Sequence, residues 1–92
     1  MCIAFFVIGS GSFPFLLAFN RDEVTYRPAE PAQFVTPDIL CGVDVQTRST
    51  WLGVNKATGA VCFLTNYRTR ANYAGEKRYQ SRGHLVLNYL KG

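Results

Sequence analysis

Ninety-two residues, 48% of them hydrophobic, 17% charged and 14% aromatic, describe one compact domain and exclude a disordered chain, which needs less apolar and more charged content. A domain this short buries only about 60% of the surface its unfolded form exposes, so its own core leaves it marginal. The net charge of +4 comes from ten Lys and Arg against six Asp and Glu, and six of the ten lie between Arg68 and Lys91, which makes the basicity local.

The chain opens on an uncharged stretch of eighteen residues, from Cys2 to Phe19, which just reaches membrane-helix length. Gly9-Ser10-Gly11-Ser12 and then Phe13-Pro14 break it into two short apolar runs, and no Lys or Arg precedes it as a secretory leader requires. The sequence therefore reads as neither secreted nor membrane-spanning. The two runs have the length and the β-branched and aromatic bias of strands, and the Gly-Ser connection suits a hairpin turn. With Ser10-Gly11 as the loop, Gly9 faces Ser12 and Cys2 lies opposite Phe19, with Arg21 diagonal to it on the same face. Ala4, Phe6 and Leu17 then line one face and Ile3, Phe5 and Leu16 the other, so both faces require cover.

From Arg27 to Pro37, three prolines predict a loop. Ile39 to Val43 is a short strand, and Thr50 to Asn55 and Ala60 to Thr65 flank a Lys56-to-Gly59 turn as a second hairpin. Gly53 leaves room for another backbone to approach. Arg68 to Gln80 is polar and reads as loop. Ser81 is an N-cap for a helix from Arg82 to Lys91, with Leu85, Val86, Tyr89 and Leu90 as its apolar stripe. No repeat, low-complexity tract or linker interrupts the chain. The expected class is α+β, antiparallel hairpins plus one helix.

Three cysteines, Cys2, Cys41 and Cys62, form an odd set without a Cys-x-x-Cys pair, which argues against a disulfide framework and a structural zinc and fits a reducing compartment. Cys2 follows the initiator methionine and is small enough to become the N-terminal residue after methionine removal. Its α-amine, with a pKa of roughly 8, would then serve as its own base. A buried apolar cysteine opening a strand explains the same position. Arg21 and Asp22 bear on that choice, because a guanidinium near a thiol favours thiolate and a carboxylate near the terminal amine orients it. The polar run Asn20-Arg21-Asp22-Glu23 also suits an ordinary strand end. Asn66 ends the last strand and could donate to an oxyanion, or simply shape a turn. Trp51 reads as a core aromatic. The lone His84, on the first helical turn, makes no metal site. Arg68, Arg70, Lys77, Arg78 and Arg82, interleaved with Tyr67, Tyr73 and Tyr79, read as a solvated loop, since their spacing fits no nucleic-acid signature.

Met1-Cys2-Ile3, Asn20-Arg21-Asp22-Glu23, Arg27-Pro28, Thr50-Trp51-Leu52-Gly53, Leu64-Thr65-Asn66-Tyr67 and Ser81-Arg82-Gly83, in that order, resemble the NRDE family, also called the Transport and Golgi organisation protein two family. Its members are usually much longer, so residues 1–92 read as the N-terminal part of one family domain. The family is similar to N-terminal nucleophile hydrolases of the penicillin V acylase and bile salt hydrolase type, whose αββα sandwich stacks two antiparallel sheets between helical layers. That resemblance implies Cys2 as nucleophile, Arg21 and Asp22 as the residues that orient and tune it, and Asn66 as an oxyanion or substrate contact. It implies attack on a linear amide through an acyl-enzyme, with no cofactor required. Eukaryotic members are instead associated with haem trafficking, secretion and Golgi organisation, and lipid homeostasis. The resemblance thus implies an intracellular protein, cytoplasmic with Golgi or mitochondrial association, whose partner is a small molecule: haem, an acyl amide or a lipid-derived compound. For haem as a carried ligand, Cys2, Cys41 and His84 are all contacts to weigh. Where members commonly read Gly-Gly-Thr-Trp-Leu-Gly, this chain has Arg48-Ser49-Thr50-Trp51-Leu52-Gly53, a change in the loop beside the expected site.

Overall fold

A computed structural model describes residues 2–65 and 81–92. Six strands and one helix follow in chain order: β1 (Ile3–Ser10), β2 (Phe13–Asn20), β3 (Ala29–Phe34), β4 (Ile39–Asp44), β5 (Leu52–Asn55), β6 (Val61–Phe63) and α1 (Gly83–Lys91). β1 and β2 form a two-stranded antiparallel sheet, and β3-β4-β5-β6 a four-stranded antiparallel meander. The α+β class, with antiparallel hairpins and one helix, is therefore as expected.

The first hairpin is shifted two residues from the register read in the sequence. Ser10 pairs with Phe13 and Ile3 with Asn20, so the loop is Gly11-Ser12 rather than Ser10-Gly11. Gly11 has a φ of +57° while Ser12 keeps a negative φ, as a type II′ turn with glycine first requires. A two-residue shift preserves the period-2 alternation, so the two faces keep their members. Cys2, Ala4, Leu17, Phe19 and Arg21 are half-buried and share the face turned to the meander. Phe63 on β6 receives that face, its ring 6.5 Å from Phe6 and 6.1 Å from Phe19. The opposite face is bare among the described residues: Phe5 is 64% exposed and Leu16 53%.

The prolines do not keep residues 27–37 a loop. β3 is the edge strand of the meander, and its pairing with β4 shifts register between Glu30 and Gln33, at Pro31. An edge with a bulge is where a sheet tolerates a residue that cannot donate.

Helix α1 covers the other side of the meander, where Ile39, Cys41, Val86 and Leu90 are each at most 3% exposed. Gly53 allows this approach, since a Cβ there would fall 2.7 Å from Leu90 Cδ1. The helix turns Gly83, Val86 and Leu90 inward, while Leu85 and Tyr89 point outward at 65% and 61% exposure. The stripe read in the sequence is thus half right. Ser81 does serve the helix start, its Oγ accepting from the Gly83 N–H at 3.3 Å. Asn55 locks turn and helix together: its Oδ1 accepts from Ala57 and Thr58 N–H, and its Nδ2 donates to the Leu90 carbonyl at 2.9 Å.

The layers run α1, meander, hairpin. Among the described residues no helix is long and apolar enough to cross a membrane.

Candidate functional site

Of the residues singled out in the sequence, Cys2, Arg21 and Asp22 lie at one end of the hairpin. Ladder pairing ends at Ile3 and Asn20, and the same register continued by one pair sets Cys2 directly across from Arg21. The sequence had Arg21 diagonal to Cys2, and the two-residue shift moves it to the facing register position. Both are half-buried. Asp22 points to the exposed side, as alternation requires, and is exposed; it has partners of its own. Asn66, together with Arg68, Arg70, Lys77, Arg78 and their interleaved tyrosines, lies outside the described residues.

Arg21 reaches away from β2 onto the meander. Its guanidinium lies 4.9 Å over the Trp51 ring, and its Nη2 donates to Asp44 Oδ2 at 3.4 Å. Arg27 Nε donates to the same oxygen at 2.8 Å, and Arg27 also pairs with Glu23 at 3.9 Å. The other carboxylate oxygen, Oδ1, accepts from the Gln46 and Thr47 N–H groups of the turn after β4. Asp44 is 7% exposed, and its pairing with the two guanidiniums favours its charged form. Burial by itself would raise the carboxyl pKa, but the Arg27 charge, the Thr47 N–H and the two guanidinium hydrogen bonds outweigh burial and hold it below the usual value.

Trp51 is where the sequence reading was incomplete. It packs edge-on against β4 because Gly42 has no side chain; a Cβ there would sit 2.5 Å from Trp51 Cζ2. The indole therefore fills the space over Gly42 and presents its face to Arg21, a cation–π platform rather than a plain core aromatic. Asp44 and Gly42 were not singled out in the sequence, and Arg27 only within the Arg27-Pro28 motif. One signal could have found them: an acidic residue ending an apolar strand at Val43-Asp44 needs cationic partners if the strand is central, and Arg21 and Arg27 precede it.

Arg48 holds a φ of +54°, the one non-glycine residue in the left-handed region among those described. Glycine adopts that conformation freely, whereas an arginine there carries the strain of the left-handed region.

The remaining thiols are poor presenters. Cys41 is 3% exposed under α1, and burial pushes its pKa up despite a Thr50 hydrogen bond. Burial also raises that of Cys62. His84 is half-buried on the helix. Among the described residues no cluster of His, Cys, Asp and Glu suits a metal ion. A cavity of about 400 Å³ opens on the helix side of the meander, walled by Phe34, Val43, Arg48, Leu87 and Lys91, and neither Cys2 nor Arg21 lines it.

The chemistry the arrangement offers is specific: a thiol at the start of the chain, opposite a cation pinned on an aromatic face by a buried carboxylate. Comparison with known proteins gives one consistent result. The family profile described as Transport and Golgi organisation 2 matches residues 1–92. The Transport and Golgi organization protein 2 homolog of Bos taurus is 35% identical over 101 residues, the mouse Transport and Golgi organization 2 homolog 34% over 100, and the human homolog 33% over 101. Each match covers 98% of this chain and 35% of the relative, so the chain spans about a third of the relatives' length. No solved structure matches it.

Proposed function

We propose, for a chain that belongs to the Transport and Golgi organisation 2 family, a role in transport and Golgi organisation as the N-terminal part of a longer domain. The single observation that carries this reading is the family match over the whole of residues 1–92. Its finer content is an intracellular protein that handles a small apolar molecule, haem or a lipid-derived compound, and takes part in secretion. The apolar hairpin supports that content, because Ile3, Phe5, Val7 and Leu16 present an apolar face that no described residue covers, on the side of the hairpin opposite to Cys2. With Cys41 buried, Cys2 and His84 remain as the thiol and imidazole contacts for a haem.

The test uses the full-length protein. Hemin titrated into it should produce a shifted Soret band, weakened in Phe5→Ser/Leu16→Ser, and cells depleted of the protein should recover Golgi morphology with the wild type. A free-hemin spectrum together with normal Golgi in depleted cells would refute the reading.

A second reading is favoured by the register that sets Cys2 across from Arg21: a Cys2-dependent amide hydrolase of the N-terminal nucleophile type. In it the α-amine left by methionine removal takes the thiol proton, and the sulfur attacks the carbonyl carbon of a linear amide. The amine leaves protonated, and water releases the acyl group from Cys2. Arg21 favours the thiolate, Asp22 orients the amine, and Asn66 contacts the oxyanion.

A further inference from the structure

The helical layer is narrower than the sheet it covers. Four strands about 4.8 Å apart make a sheet about 14 Å wide between its outer axes, and helices lie side by side about 8–10 Å apart, so the meander has room for two. α1 takes one half: it lies over β5 and β6 and reaches β4 through Ile39 and Cys41. β3 is exposed along its whole length. What remains beside α1 is the cavity of about 400 Å³, with Cys41 and Val43 as its floor, Val35 and Leu87 on its flanks, and Arg48 and Lys91 at its ends. Arg48 belongs to the end where Ser49 bridges Asp44 and meets the helix start at Gly83. Lys91 belongs to the other end, where Asn55 pairs with Ile39 and donates to the Leu90 carbonyl. Among the described residues neither cation has an ion-pair partner, and the carboxylate in the wall, Glu30, accepts from Gln33 Nε2 at 2.7 Å.

We propose that this groove seats a second helix, lying alongside α1 over β3 and β4 and supplied by the same chain beyond residue 92 in the full-length protein. The inference rests on the reading of residues 1–92 as the N-terminal part of a longer domain, and the relatives, of which the match covers 35%, carry the length to supply such a helix. Shape selects a helix, because a groove one helix wide with an apolar floor matches an apolar stripe. An added strand is disfavoured, since the free edge of β3 is irregular at Pro31. Charge sets the polar ends. α1 spans Gly83–Lys91, nine residues, so its ends stand about 12 Å apart, and Arg48 and Lys91 call for carboxylates about seven or eight residues apart on the seated helix.

The experiment places the photoreactive residue p-benzoylphenylalanine at Leu87 of the full-length protein, and in a second preparation at Gln33, irradiates each and maps the adducts by peptide mass spectrometry. Gln33 is exposed on β3, so replacing it disturbs no buried contact and keeps the test open should the Leu87 protein not fold. Both probes should capture one peptide of the same molecule from beyond residue 92, at positions three, four or seven apart, as one face of a helix requires. An adduct on a second molecule, an adduct within residues 1–92, captured positions two apart as in a strand, or no adduct from either probe would each overturn the seated helix. Limited proteolysis of the same protein separates that failure from a failure of the reading beneath it. If residues 1–92 come away from the rest as a separate piece, the longer domain falls as well, whereas a single resistant body without the adduct removes the helix alone.

Discussion

Asp44 concentrates more of the structure's electrostatics than any other described residue, and acid is the way to see it. Its folded pKa is lowered, so the stability it confers is fully present above the unfolded carboxyl value of about 4 and is lost as pH falls through the lower folded value. Asp44→Asn should therefore cost about 2–3 kcal/mol at pH 7, below the figure for a fully buried pair because both arginines keep some access to water. It should also flatten the acid limb of a urea-melt series run from pH 6 to pH 2; an acid limb as steep as that of the wild type would show that other carboxylates carry it. Arg48 gives the reverse expectation. Arg48→Gly should raise stability by about 0.5–1 kcal/mol in chemical melts, the relief of a left-handed residue less the entropy glycine adds to the unfolded chain. Little of this was legible in the sequence. Arg21 could be placed near Cys2 because strand alternation depends only on local order, whereas the Asp44 contacts join residues 17 and 23 positions apart, which no local pattern encodes. Trp51 was visible as an aromatic, but its use as a platform depends on Gly42 lying beneath it.

The elements were easier to read than the contacts between them. Both hairpins and the helix follow from apolar runs, turn glycines and the Ser81 start signal. The register of the first hairpin slips because the sequence reading sets Ser10-Gly11 as the loop; glycine at the first loop position decides for Gly11-Ser12. β3 was missed because Pro31 reads as a breaker unless the strand is known to lie at an edge. The helix stripe was drawn too wide because Leu85 and Tyr89 are apolar in type yet have no partner among the described residues. Leu90→Ala should cost about 2–5 kcal/mol by thermal denaturation, and Leu85→Ala less than about 0.5. Comparable losses at the two positions would contradict the observed packing. Asn55→Ala removes two hydrogen bonds within the β5–β6 turn and the one that ties it to α1, and should cost about 2–3 kcal/mol in the same assay.

For the whole molecule, the layers α1, meander and hairpin account for one apolar face of the first two strands, which meets Phe63, while the other is bare among the described residues. A surface of that kind binds apolar partners. Phe5→Ser/Leu16→Ser should reduce the binding of a hydrophobic dye to residues 1–92 without lowering their melting temperature, since neither side chain is packed. The sequence showed that cover was needed on both sides but not which face the meander supplies, because that depends on β6 arriving beneath Phe6 and Phe19. On the reading proposed above, the protein has a transport and Golgi role in which Cys2 serves a handled molecule rather than turning over an amide. Intact-protein mass spectrometry of the full-length protein and its Cys2→Ala variant, before and after exposure to a panel of linear acyl amides, tests it most directly. The expected result is no acyl adduct on either protein, whereas an adduct on the wild type that is absent from Cys2→Ala would contradict the claim and establish the nucleophilic hydrolase instead.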